Sequence, residues 1–137
     1  MRTAIDTNVI SALWSKEQPA SDIARKLGNA KTEGGLVVSG PVYAELLAYP
    51  KATESFVNDF LADTSIAVEF EFQRPVWVEA GRRFANYARR RRRSANQGPK
   101  RLLADFIIGS HALVQADRFM TLDPKRYNRD FPELKLI

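Results

Sequence analysis

Short strand-like stretches at Thr3–Asp6, Leu36–Val38, Ile66–Phe70, Phe119–Thr121 and Leu134–Ile137 alternate with segments of helical spacing. This alternation constrains the fold more than any other feature of the sequence. Strands separated by helices pair in parallel, and a parallel sheet is covered on both faces. The first helix reads from about Asn8 to Trp14, and the second from Ser21 to Ala30, broken by Gly34-Gly35. Pro41 opens a third at a position where a first helical turn accepts proline, and this helix stops at Ala48, before Pro50. A fourth, from Ala52 to Ala62, has Phe56, Val57, Phe60 and Leu61 as its apolar face. Pro75 opens a long helix with the stripe Trp77, Ala80, Phe84 and Ala88, ending in an arginine run. Asn96 to Pro99 read as a loop, and a nearly all-apolar helix follows from Arg101 to Ala116. The expected fold class is α/β, with one domain over residues 1–137.

Composition removes several chemistries. With no cysteine and one histidine, His111, the chain has no disulfide scaffold, no thiolate-bound zinc or cluster and no thiol nucleophile. Any metal must be held by oxygen. Arg2 and Asp6 interrupt the apolar core that a secretion signal needs, and no uncharged run is long enough to span a bilayer. The expectation is a cytoplasmic chain. Its net charge of +5 is unevenly spread: nine basic residues and no acid lie between Arg82 and Arg101. Such a stretch points to a polyanionic partner, against the plainer reading of a solvated helix end.

The acids are informative because of their isolation. At 27% charged residues, a stretch of ~15 residues should carry about four. Thr3–Ser15 carries only Asp6, Gly34–Pro50 only Glu45, and Leu102–Ala116 only Asp105 besides His111. An unpaired carboxylate in a buried segment is costly, so it must be protonated, paired or bound to a cation. Asp123, between Thr121 and Pro124, is a fourth candidate. In an open parallel sheet, ligands bind beyond the carboxyl ends of the strands. Asp6, Glu45 and Asp123 each follow a strand, and Asp105 lies on the helix leading into the strand at Phe119. Four converging carboxylates repel unless hard cations separate them, and Mg²⁺ or Mn²⁺ suits an all-oxygen set. Sites of that kind hydrolyse phosphodiesters. Each acid also has a plainer role: Asp6 as a helix cap, Glu45 as an arginine partner, Asp105 as a first-turn acid, Asp123 as a turn opener.

These acids sit in motifs. The runs Ala4-Ile5-Asp6-Thr7-Asn8-Val9-Ile10-Ser11, Val42-Tyr43-Ala44-Glu45-Leu46, Leu103-Ala104-Asp105-Phe106-Ile107-Ile108-Gly109 and Met120-Thr121-Leu122-Asp123-Pro124-Lys125-Arg126-Tyr127 resemble, in order, the blocks of PIN domains. The match is closest to the VapC toxin ribonucleases of bacterial toxin–antitoxin pairs. The resemblance implies a PIN-like three-layer fold with a parallel sheet of order 3-2-1-4-5, and a Mg²⁺- or Mn²⁺-dependent endoribonuclease acting on RNA. It implies catalytic and metal-site roles for Asp6, Glu45, Asp105 and Asp123, with support from Thr7, Asn8 and Thr121. It also implies a homodimer inhibited by a small antitoxin protein.

The stretch from Arg89 to Lys100 departs from the family pattern. Arg89, Arg90, Arg91, Arg92, Arg93, Lys100 and Arg101 are therefore read as RNA-backbone contacts, with antitoxin contact as the alternative. Apolar residues of the third and fourth helices, among them Tyr43, Leu46, Leu47, Phe56 and Phe60, are the expected two-fold interface. His111 lies about 240° round the helix from Asp105 and is expected to have a structural or surface role, facing away from the acids. Tyr87 and Tyr127 border the basic segments, where packing outweighs base stacking. A catalytically silent PIN-like module that binds RNA or protein is the competing reading. A receiver or an Asp-x-Asp phosphatase would need a second acid near Asp6, where Asn8 stands.

Overall fold

The computed structural model describes residues 1–16, 20–94 and 100–137. Strand β1 (Thr3–Ile5) leads into α1 (Thr7–Ser15) and α2 (Ala20–Glu33), and β2 (Leu36–Ser39) into α3 (Gly40–Leu47) and α4 (Glu54–Asp63). Then come β3 (Ile66–Glu69), α5 (Arg74–Arg93), α6 (Leu103–Gln115), β4 (Arg118–Met120) and α7 (Pro124–Asn128). The strands pair in parallel in the order β3-β2-β1-β4. Every residue of β1, β2 and β4 is buried. Successive strand side chains point to opposite faces, so helices must cover both faces of the sheet. The class is α/β, as the alternation of elements implied.

Among the described residues the sheet has four strands rather than five. The fifth position of the expected 3-2-1-4-5 order is reduced to one parallel bridge, Phe119 with Leu136, flanked by Phe119 N–H to the Lys135 carbonyl at 2.8 Å and Ile137 N–H to the Phe119 carbonyl at 3.0 Å. Between α7 and this bridge, Asp130 and Phe131 are buried.

Phe106, Phe119, Tyr127 and Phe131 form an aromatic chain in that core, with neighbouring ring centroids 4.9–6.1 Å apart. Each fully buried ring of this kind contributes roughly 1.5–3 kcal/mol. Gly109 lets α6 approach Phe131: a Cβ there would lie 2.6 Å from a ring carbon. The expected stripe of α5 is rotated. Val76 and Ala80 are the buried positions, whereas Trp77 is 52% exposed and leans on Phe72. The predicted loop at Asn96–Pro99 lies outside the described residues. Among the described residues, no helix is long and apolar enough to cross a membrane.

The chain turns from β1 toward β2 on one side and reaches β4 on the other. The gap between β1 and β4 is thus where strand order reverses, the place where open α/β sheets bind ligands.

Candidate active site

Asp6 stands at that gap. Its N–H donates to the Met120 carbonyl at 2.9 Å, locking the end of β1 to the end of β4. Its extended backbone makes it the N-cap of α1, with Oδ1 accepting the Thr7 N–H at 2.8 Å. Oδ2 accepts the Thr121 hydroxyl at 2.9 Å. Capping and site placement therefore coincide in one residue. The side chain is buried, and among the described residues no cation pairs with it. Burial pushes its carboxyl up to about 6; the bonds from Thr121 and Thr7 oppose the rise, and the charges of Glu45 and Asp105 add to it.

The other predicted residues gather around Asp6. Glu45, on α3, is exposed and accepts the Thr7 hydroxyl through Oε1. Thr121 bridges two acids, donating to Asp6 while accepting the Asp123 N–H at 3.1 Å. Asn8 accepts the Leu122 N–H at 3.1 Å and so holds the β4–α7 turn against α1. Asp123 precedes α7 with its carboxylate exposed. Asp105 is the third residue of α6, buried, and its Oδ2 accepts the Leu102 N–H at 3.1 Å. The same oxygen accepts Arg126 Nη2 at 2.9 Å, and Arg101 Nε lies 3.9 Å away.

Asp6, Glu45 and Asp105 are thus within electrostatic reach of one another, and Asp123 is linked through Thr121. The donors are carboxylate, hydroxyl and amide oxygens, a set suited to a hard dication. In this arrangement, however, no group of three carboxylate or imidazole side chains among the described residues is set to hold a metal ion.

The basic segment divides in two. Arg89, Arg92, Arg93 and Lys100 are exposed. Arg90 and Arg101 instead share the buried carboxylate of Asp130, one on each oxygen, with Arg101 Nη1 at 2.5 Å from Oδ2. Arg101 also lies over the rings of Phe106 and Tyr127, 4.8 and 5.2 Å from their centroids. Arg91 is partly buried beside the Tyr87 hydroxyl, which accepts the Arg101 N–H at 2.7 Å. Arg82, Arg83, Arg90 and Arg129 line a cleft of about 330 Å³ with Asp130 and Glu133.

Sequence reasoning missed Asp130 and Arg126. Their only trace in the sequence is the dense mixed charge of Lys125–Asp130, which reads as part of a motif and not as a partner for the arginines. Tyr127 is buried against Phe119 and offers no face to a base; burial pushes its phenol up, so it stays protonated. His111 is buried, with Nε2 2.6 Å from Glu69 Oε1 and Arg2 on the same oxygen at 2.9 Å. Burial lowers His111 despite Glu69, so its role there is structural.

The PIN domain family matches residues 3–132 of the chain. No curated protein matches it. Among solved structures, the chain is similar to VapBC2 from Rickettsia felis bound to a DNA fragment from their promoter. That match has a TM-score of 0.75 at 20% identity and covers 100% of this chain and 98% of the other. It is also similar to VapBC-1 from nontypeable Haemophilus influenzae, with a TM-score of 0.70 at 21% identity, covering 100% and 97%. At these identities the likeness speaks for the fold.

Proposed function

The chain belongs to the PIN-domain family, and from that premise we propose that it is a Mg²⁺- or Mn²⁺-dependent endoribonuclease, the toxin of a VapBC-like toxin–antitoxin pair. The observation that carries this reading is Asp6: a buried carboxylate that no cationic side chain among the described residues pairs with, raised to about 6, at the point where strand order reverses. Asp6, Asp105, Asp123 and Glu45 are the residues that would hold the ion. When bound, the ion supplies Lewis-acid stabilisation of phosphoryl oxygens and lowers the pKa of water.

The chain's own residues do the positioning. Thr121 fixes Oδ2 of Asp6 and the turn that carries Asp123. Thr7 fixes Glu45, and Asn8 ties α1 to the same turn. The exposed Arg89, Arg92, Arg93 and Lys100 attract the RNA backbone without reading bases. The solved relatives are described as VapBC, which supports a small antitoxin as the protein partner. Half-exposed aromatics on α3 and α4, Tyr43, Phe56 and Phe60, support a two-fold dimer, whereas Leu46, expected at that interface, is buried in the core of the fold. The expected compartment is the cytoplasm.

The test is cleavage of single-stranded RNA with and without Mn²⁺. Wild type should cleave only with the ion, and Asp6→Asn should lose at least about 10²-fold in rate with the fold intact by circular dichroism. The competing reading, a silent binding module, draws on the cation already paired with Asp105. It prevails if wild-type protein binds RNA but leaves it uncut at every Mn²⁺ concentration.

A further inference from the structure

Among the described residues, Asp105 is the candidate-site acid with cationic neighbours, and the two neighbours differ. Arg101 is fixed. Its Nη1 donates to Asp130 Oδ2 and to the Arg126 carbonyl, and its guanidinium lies over Phe106 and Tyr127. The charge of Asp130 compensates it whether or not Asp105 is available. Arg126 has a different setting. Its guanidinium donates to Asp105 Oδ2 at 2.9 Å, and its side chain is 39% exposed. Its backbone is held on both sides, with the N–H on the Asp123 carbonyl at 3.1 Å and the carbonyl on Arg101. The side chain can leave Asp105 while α7 stays in place.

A dication at Asp105 and a guanidinium on the same carboxylate oxygen would repel at a distance where salt screens poorly. The two would therefore compete for that carboxylate. Resting on the metal-dependent reading above, we propose that Arg126 is an internal counter-cation. It occupies Asp105 in place of the divalent ion and must swing out before the ion binds, and so it sets the metal affinity of the site. Arg126 is a positioning residue in this scheme, acting on a ligand and not on substrate.

The experiment is calorimetric titration with Mn²⁺ alone, with no RNA, on wild type, Arg126→Gln, Arg126→Lys and Arg129→Gln. Arg129 is exposed on the next turn and lines the cleft beside Asp130, so its variant removes the same net charge away from Asp105. Arg126→Gln should bind Mn²⁺ about tenfold more tightly, the loss of one charge-assisted competitor. Arg126→Lys, which keeps the charge, should stay within about threefold of wild type, and so should Arg129→Gln. Unchanged or weaker binding by Arg126→Gln overturns the inference and leaves the metal-dependent reading standing. Equal tightening by Arg129→Gln also overturns it, because net charge would then be the cause. If neither wild type nor Arg126→Gln binds Mn²⁺, the inference and the functional reading both fall.

Discussion

Asp6 and Asp130 are both buried, 7% and 8% exposed, yet the protein treats them in opposite ways. Asp130 receives a guanidinium on each oxygen, Arg90 on one and Arg101 on the other. Asp6 receives a backbone N–H and a hydroxyl, and its nearest charges are other acids. The pairing at Asp130 joins α5, the start of α6 and the segment after α7. The lack of it at Asp6 leaves negative potential at the sheet edge. A charge neutralised within the fold serves the fold, whereas one left open at a strand-order reversal is available to a ligand.

The largest effect should come from unpairing Asp130. Asp130→Asn keeps the shape but strands the buried Arg101 cation, and breaking a buried pair in this way costs about 3–5 kcal/mol. Urea unfolding should show the midpoint falling with little change in slope. A loss below about 1 kcal/mol would mean that Asp130 holds little of the fold, and the contrast with Asp6 would fail.

Asp6→Asn should act in the other direction. In the folded chain the Asp6 carboxyl is raised from 3.8 to about 6, so the folded state holds a proton that the unfolded state has released. Acidification from about 6 toward 3.8 therefore favours folding, and above about 6 the full penalty stands, about 3 kcal/mol for a shift of this size. Without metal, Asp6→Asn should be more stable than wild type at neutral pH. The gain should shrink as pH falls through that window and vanish below 3.8. Stability measured against pH in a chelating buffer tests this, and a destabilised variant at neutral pH would show that Asp6 is satisfied as it stands.

His111 has the opposite sign and provides an internal check. Burial lowers it from 6.5, against the pull of Glu69, so its contribution is present above 6.5 and is lost as pH falls below that value. Glu69, which burial would raise but Arg2 and His111 lower, adds a loss at more acid pH. His111→Gln should flatten the acid side of the wild-type stability curve and leave the Asp6 window in place. A variant curve parallel to wild type between pH 7 and 5 would break the assignment.

The contrast was half legible in the sequence. Asp6, Glu45 and Asp105 stand alone in apolar runs, and short strands between helices put the strand-following acids at one sheet edge; local pattern carries both facts. Asp130 and Arg126 sit among other charges, and nothing local tells a solvated aspartate from one that receives Arg90, forty residues earlier, and Arg101. Ion pairing across that separation is a product of tertiary packing. The same limit explains Trp77: the stripe through Ala80 and Phe84 fits two neighbouring helical faces, and packing on α6 selects the one with Val76. The last strand reads as apolar alternation, but its pairing with β4 is a matter of tertiary packing and comes down to the bridge at Leu136.

The smallest effect on stability should come from the arginines not drawn into the fold. Arg89, Arg92 and Arg93 are exposed at the end of α5, and replacing exposed side chains without structural partners changes stability by no more than about 0.5 kcal/mol. Among the described residues Arg89 bonds to Asn86 on its own helix, so the triple change to Gln should unfold with wild-type urea dependence, in contrast to Asp130→Asn. Its effect should appear in RNA binding. For every phosphate no longer neutralised, the slope of log affinity against log salt should flatten by about 0.7 for a single strand. The weakening should be alike for unrelated RNA sequences, because guanidinium–phosphate bonds carry no base information. Arg90→Gln, by comparison, should cost stability through Asp130. If the triple variant keeps the wild-type salt slope but no longer binds a cognate antitoxin, the exposed arginines serve a protein partner, and the division between structural and substrate-facing cations must be redrawn.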